Sequence, residues 1–123
     1  VNYLGQVSGN NNLRRIYSAA DAFLLPSLQD NLPNTIMESL ACGTPVIAFR
    51  TGGVPEMIEH KNTGFLAEEK SSESLAEGIK WLIDNNNEDI KGLCVEFLNN
   101  NYSEKVIAAR YLQLYESLIK NGK

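Results

Sequence analysis

No apolar run in this sequence approaches the roughly 18 residues that a membrane-spanning helix requires. No basic segment precedes an apolar core at the start, so no signal peptide is expected. There is no block of basic residues and the formal net charge is −4, which argues against a dedicated nucleic-acid surface. Histidine occurs once and cysteine twice, as Cys42 and Cys94, without metal-ligand spacing. Two reduced thiols within apolar patterns are therefore expected, rather than a disulfide or a zinc site. No Asp-x-Asp is present to hold a metal on a diphosphate, and no metal or other cofactor is expected. No Gly-x-Gly-x-x-Gly follows any strand-like run, which excludes a dinucleotide-dependent dehydrogenase. An initiator Met is also missing; the chain opens in the strand-like Val1-Asn2-Tyr3-Leu4, as expected of a piece of something longer.

What is present alternates between strand and helix. After Val1–Leu4 come a Gly5–Gly9 turn, a cap region at Asn10–Asn12, and an amphipathic helix marked by Leu13, Ile16, Tyr17 and Ala20. Ala22-Phe23-Leu24-Leu25 and Pro45–Phe49 are short apolar runs without alternation, the pattern of parallel strands covered on both faces. Between them the spacing predicts a helix from about Asn34 to Cys42, stopped by Gly43 and Pro45. A brief helix near Pro55–Glu59 and a fourth strand near Gly64–Ala67 follow. Residues 71–123 then read as three helices, with Ser71 or Ser72 capping the first and Ser103 the third. The expected architecture is a single α/β domain over 1–123: strand–helix alternation on a short parallel sheet over 1–70, then a helical tail over 71–123.

Right-handed crossovers bring the ends of the Phe23 and Val46 strands to one sheet edge, where open α/β sheets bind their ligands. The loop with Asp30 and the loop Arg50-Thr51-Gly52-Gly53 both leave from that edge. Asp30 precedes the helix and Glu38 lies about a turn inside it. A helix N-terminus suits a phosphate, and neighbouring carboxylates suit hydroxyls. A nucleotide sugar carries both. From four residues alone, however, Thr35-Ile36-Met37-Glu38 also fits a capping box, with Glu38 bonding back to the Thr35 N–H.

An acid, seven residues and then Glu, leading to Ala41-Cys42-Gly43-Thr44-Pro45-Val46-Ile47, resembles the E-x7-E region of family 4 retaining glycosyltransferases. The resemblance begins at Tyr3-Leu4-Gly5-Gln6-Val7 and Tyr17–Ser27. It continues through Thr51-Gly52-Gly53-Val54-Pro55-Glu56 and Asn62-Thr63-Gly64-Phe65-Leu66, covering residues 1 to about 70 in ordered blocks. It implies the later part of the C-terminal, donor-binding domain of a GT-B enzyme, with a Rossmann-like sheet sandwich. By this resemblance Glu38 accepts hydrogen bonds from the nucleotide ribose and Asp30 faces the transferred sugar. The backbone N–H groups around Asn31, Leu32, Asn34 and Thr35 cradle sugar or diphosphate oxygens, and Val7 makes a main-chain contact with the base.

The implied partners are a nucleotide-sugar donor and the acceptor-binding N-terminal domain of the same parent chain. The parent would be a cytoplasmic hexosyltransferase of polysaccharide or glycolipid synthesis, reaching lipid-linked acceptors at the inner face of the membrane. The family's diphosphate-neutralising Arg and Lys lie on earlier strands, so the 123 residues alone are expected to be inactive, with no catalytic residue assigned among them. Two departures stand out. Asp30 replaces the usual Glu, and Asn31-Leu32-Pro33-Asn34 replaces the usual Gly-Phe-Gly-Leu, which points to a different sugar preference. The same departures keep open a non-catalytic nucleotide-sugar-binding or assembly module. Elsewhere, His60 is expected to be a solvated turn residue, Cys42 to be core, and Trp81, Tyr111 and Tyr115 to serve packing.

Overall fold

A computed structural model describes residues 1–29, 31 and 33–122. Helix α1 (Asn10–Ala19) leads to strand β1 (Phe23–Leu25), then α2 (Asn34–Ala41), β2 (Val46–Phe49), α3 (Val54–Met57) and β3 (Gly64–Ala67). Three helices close the chain: α4 (Ser72–Asn85), α5 (Glu88–Tyr102) and α6 (Glu104–Asn121). The architecture is α/β with a helical C-terminal tail, as the alternation of patterns predicted.

The strands form one parallel sheet in the order β1-β2-β3, with Phe23 opposite Val46 and Val46 opposite Gly64. β2 lies in the middle and is buried at all four positions, which explains its unbroken apolar run. β1 is an edge strand, and its Leu24 is exposed. On one face of the sheet Ile36 and Leu40 of α2 pack with Val46, Ala48, Met57, Leu66 and Cys94. On the other, Leu82 of α4 and Ile90 of α5 pack with Ile47, Phe49, Phe65 and Ala67. Gly78 lets α4 settle on the sheet, since a Cβ there would come within 2.8 Å of both Ile47 and Phe65.

Several local expectations hold at the level of single bonds. Ser71 caps α4 by accepting from the Ser74 N–H at 3.1 Å, and Ser103 caps α6 by accepting from Val106. Trp81 is half-buried, its ring 6.1 Å from that of Phe65.

Others need correction. Val1–Leu4 forms no strand: its backbone pairs with nothing among the described residues, and Tyr3 is 93% exposed. An apolar extended run becomes a strand only when a neighbour supplies its ladder hydrogen bonds. Asn10–Asn12 is the first turn of α1 rather than its cap, and Gly9 stands at the N-cap with no side-chain bond. Cys42 is half-buried at the end of α2, whereas Cys94 is fully buried. Tyr111 and Tyr115 stack on each other at 6.4 Å along α6 but remain exposed. α6 buries no residue and meets the rest of the chain mainly along α5. No helix among the described residues is long and apolar enough to cross a membrane.

His60 is exposed, as expected, but its ring also takes a structural part. Its Nδ1 accepts from the Leu66 N–H at 3.0 Å, and its ring packs 4.7 Å from Phe65. Burial first, then Lys61 and Arg50, hold its pKa below the ordinary 6.5. Protonation would turn the acceptor into a donor facing another donor. Because the folded-state pKa is depressed, this contribution is complete above 6.5 and is lost as the pH falls through the lowered value. Urea midpoints of the complete protein and its His60→Asn variant should therefore differ most above pH 6.5 and converge as the pH falls below it.

Candidate functional site

The parallel sheet places the carboxyl ends of all three strands on one edge, and the loops leaving that edge touch. The Thr51 hydroxyl of the post-β2 loop donates to the Ser27 carbonyl of the post-β1 loop at 3.3 Å. Between these loops lies a cleft of about 560 Å³, lined by Gln29, Asn31, Arg50, Thr51, Gly52 and Glu69. Gly52 turns its loop at φ +51°, a conformation that glycine adopts at little cost. The cleft lies outside the carboxyl ends of the strands, where open α/β sheets bind their ligands. A larger groove, about 720 Å³ beside Cys42 and Lys91, lies at the opposite end of α2 and lacks that relation to the loops.

α2 begins at the same edge. Its N-cap is Pro33, which supplies no side-chain bond. The Ile36 N–H reaches the Pro33 carbonyl at 3.1 Å, while the Asn34 and Thr35 N–H groups meet no acceptor among the described residues. The first-turn amides and the positive end of the helix lie at this edge, the features that suit an anion.

Glu38 has no part in capping. The helix starts at Asn34, two residues too early for Thr35 to be its N-cap, so the alternative capping box does not form. Glu38 instead lies in a second cavity, about 340 Å³ between α1 and α2, with Asn10, Leu13, Arg14, Tyr17, Ala41 and Cys42. Its Oε2 accepts from the Tyr17 hydroxyl at 3.3 Å.

The expected site residues are therefore distributed over three neighbouring places. Asn31 lines the cleft, Asn34 and Thr35 open α2, and Glu38 lies a turn further on, facing α1. Val7 is half-buried in the segment before α1 and lines neither cavity. Asp30 and Leu32 lie outside the described residues.

Two contributions were not legible beforehand, although the Arg50 loop itself was expected at this edge. Arg50, immediately after β2, brings a cation into the cleft. Tyr17 meets Glu38 across 21 residues of sequence. Cysteine chemistry finds no support at Cys94, whose thiol burial pushes up to about 12.

A parallel α/β sheet with a helix N-terminus and a crevice at its carboxyl edge has the layout of an α/β ligand-binding domain. The chain belongs to the glycosyl transferases group 1 family, whose model matches residues 1–104. It is 32% identical over 124 residues to the N,N'-diacetylbacillosaminyl-diphospho-undecaprenol alpha-1,3-N-acetylgalactosaminyltransferase of Campylobacter jejuni, covering 98% of this chain and 32% of that protein. It is 29% identical over 128 residues to the N-acetyl-alpha-D-glucosaminyl L-malate synthase of Bacillus anthracis, covering 100% of this chain and 33% of that one.

Among solved structures, sucrose-phosphate synthase from Thermosynechococcus elongatus superposes with a TM-score of 0.73 at 28% identity, covering 86% of this chain and 27% of that chain. Anabaena Alr3699/HepE in complex with UDP-glucose matches in fold, with a TM-score of 0.73 at 24% identity over 86% of this chain and 30% of that chain. The chain spans about a third of the length of these curated relatives.

Proposed function

We propose that this chain is the donor-binding portion of a family 4, retaining GT-B glycosyltransferase that moves a sugar from a nucleotide diphosphate to an acceptor hydroxyl. The observation that carries the reading is the start of α2 at the carboxyl edge of a parallel sheet, with a carboxylate about a turn in that bonds Tyr17 rather than a capping amide.

In this reading the Asn34 and Thr35 amides hold diphosphate or sugar oxygens, and Glu38 accepts from the ribose hydroxyls. An ionised carboxylate accepts only, so it suits a diol with charge-assisted bonds. Asp30 faces the transferred sugar, the amides around Asn31 and Leu32 join in cradling sugar or diphosphate oxygens, and Val7 meets the base through its main chain. Arg50 adds positive potential to the cleft, which favours an anionic donor.

The protein's task is positional and electrostatic: to hold the sugar carbon toward the acceptor while the helix dipole stabilises the departing diphosphate. No metal or other cofactor takes part. The acceptor-binding domain and the remaining diphosphate-binding cations belong to the rest of the parent chain, and residues 1–123 alone turn over no donor. The parent is a cytoplasmic hexosyltransferase of polysaccharide or glycolipid synthesis that works at the inner face of the membrane.

Ligand-observed NMR of the complete protein against a panel of nucleotide sugars tests the reading. At least one donor should show saturation transfer to both its ribose and its sugar protons. No transfer to any donor in the panel would contradict it.

A further inference from the structure

Tyr17 is held from three sides. Its ring meets Phe23 edge-on at 5.5 Å and 86°, and its carbonyl accepts from the Thr44 hydroxyl at 2.6 Å. Its hydroxyl donates to Glu38 Oε2 at 3.3 Å. Thr44 is itself fixed, because its carbonyl accepts from the buried Ser39 hydroxyl at 2.8 Å. Tyr17 thus stands on a braced junction of α1, the first strand and the turn before β2. Glu38, by contrast, is an exposed side chain on the surface of α2 with several free torsions.

We infer that Tyr17 is a positioning residue for nucleotide recognition: its hydroxyl holds one oxygen of Glu38 and thereby presents the other to the ribose. The inference rests on the proposed role of Glu38. Burial first, then the Glu38 charge, raises the Tyr17 pKa above 10.0, so the phenol keeps the proton it donates. With Oε2 engaged, the carboxylate plane is set before any ligand arrives, and less side-chain freedom is lost on binding. The cavity between α1 and α2 leaves room beside the pair, with Leu13 and the Tyr17 ring among its lining.

Tyr17→Phe removes only the hydroxyl and keeps the ring on Phe23. The test uses the complete protein with whichever of UDP, ADP or GDP it binds most tightly, and with the 2′,3′-dideoxy counterpart of that nucleotide. Titration calorimetry should show Tyr17→Phe weakening the ribonucleotide by about three- to tenfold, the effect of one ordinary hydrogen bond. The dideoxy analogue should bind both proteins equally, and Tyr17→Phe should add nothing in a Glu38→Ala background. Equal weakening of both ligands, no weakening of either, or an undiminished effect in the Glu38→Ala background would overturn the inference. Failure of the unaltered protein to bind any of the three nucleotides would instead contradict the donor-site reading on which it rests.

Discussion

Gly64→Ala should unfold the sheet, or cost about 3 kcal/mol or more of stability, the upper end of overpacking effects. Gly64 opens β3 directly opposite Val46 in the parallel ladder. A Cβ built there collides with the Val46 carbonyl oxygen and presses on the Val46 carbonyl carbon and amide nitrogen. All three are backbone atoms of the central strand, which cannot swing aside as a side chain can. Relief would require β3 to move away from β2, breaking the ladder that joins them and the His60–Gly64 bridge beside it. Both core clusters include residues of β2 and β3, so each would be opened. Gly92→Ala is the matched control: it lies within α5, and nothing stands within 4 Å of its added Cβ. That change should be neutral or stabilise by about 0.5–1 kcal/mol through helix propensity. Urea midpoints of the two variants should move in opposite directions, or only the first should move.

The core strands were legible because their burial leaves a mark in composition. Val46–Phe49 is apolar at every position, since helices cover both of its faces. Caps such as Ser71 and Ser103 were legible too, because they are local chemistry between residues three apart. Val1–Leu4 also reads as strand-like but has no partner among the described residues, and pairing is not written into a single run of residues. The spacing from Thr35 to Glu38 satisfied the capping-box pattern; only the true start of α2, at Asn34, decided against it.

The site was legible in its outline and hidden in its long-range contacts. Strand order alone brought the Asp30 and Arg50 loops to one edge, and the Thr51–Ser27 bond shows the loops meeting. Nothing near Tyr17 in sequence announces that it will reach Glu38, and Arg50 read as one more loop residue until the cleft took shape around it. His60 read as solvated because its acceptor role depends on Leu66, six residues away on the next strand.

Glu38→Gln should leave the fold intact and weaken nucleotide binding by about 1–3 kcal/mol, roughly five- to 150-fold. The fold should survive because the carboxylate caps nothing, and a Gln carbonyl can still accept from the Tyr17 hydroxyl. Substitutions at such exposed positions change stability by about 0.5 kcal/mol or less. Affinity should fall because the amide exchanges a charged acceptor for a neutral one and replaces the second acceptor oxygen with a donor. If Glu38 served only to tie α2 to α1 through Tyr17, the same change would leave affinity untouched. The decisive measurement is therefore calorimetric titration of the complete protein and its Glu38→Gln variant with the nucleotide diphosphate it binds best, alongside their urea midpoints. A drop in affinity of at least about fivefold at an unchanged midpoint is the predicted result. Equal affinity at an unchanged midpoint would contradict a ribose-binding role for Glu38, and with it the donor site proposed at the start of α2.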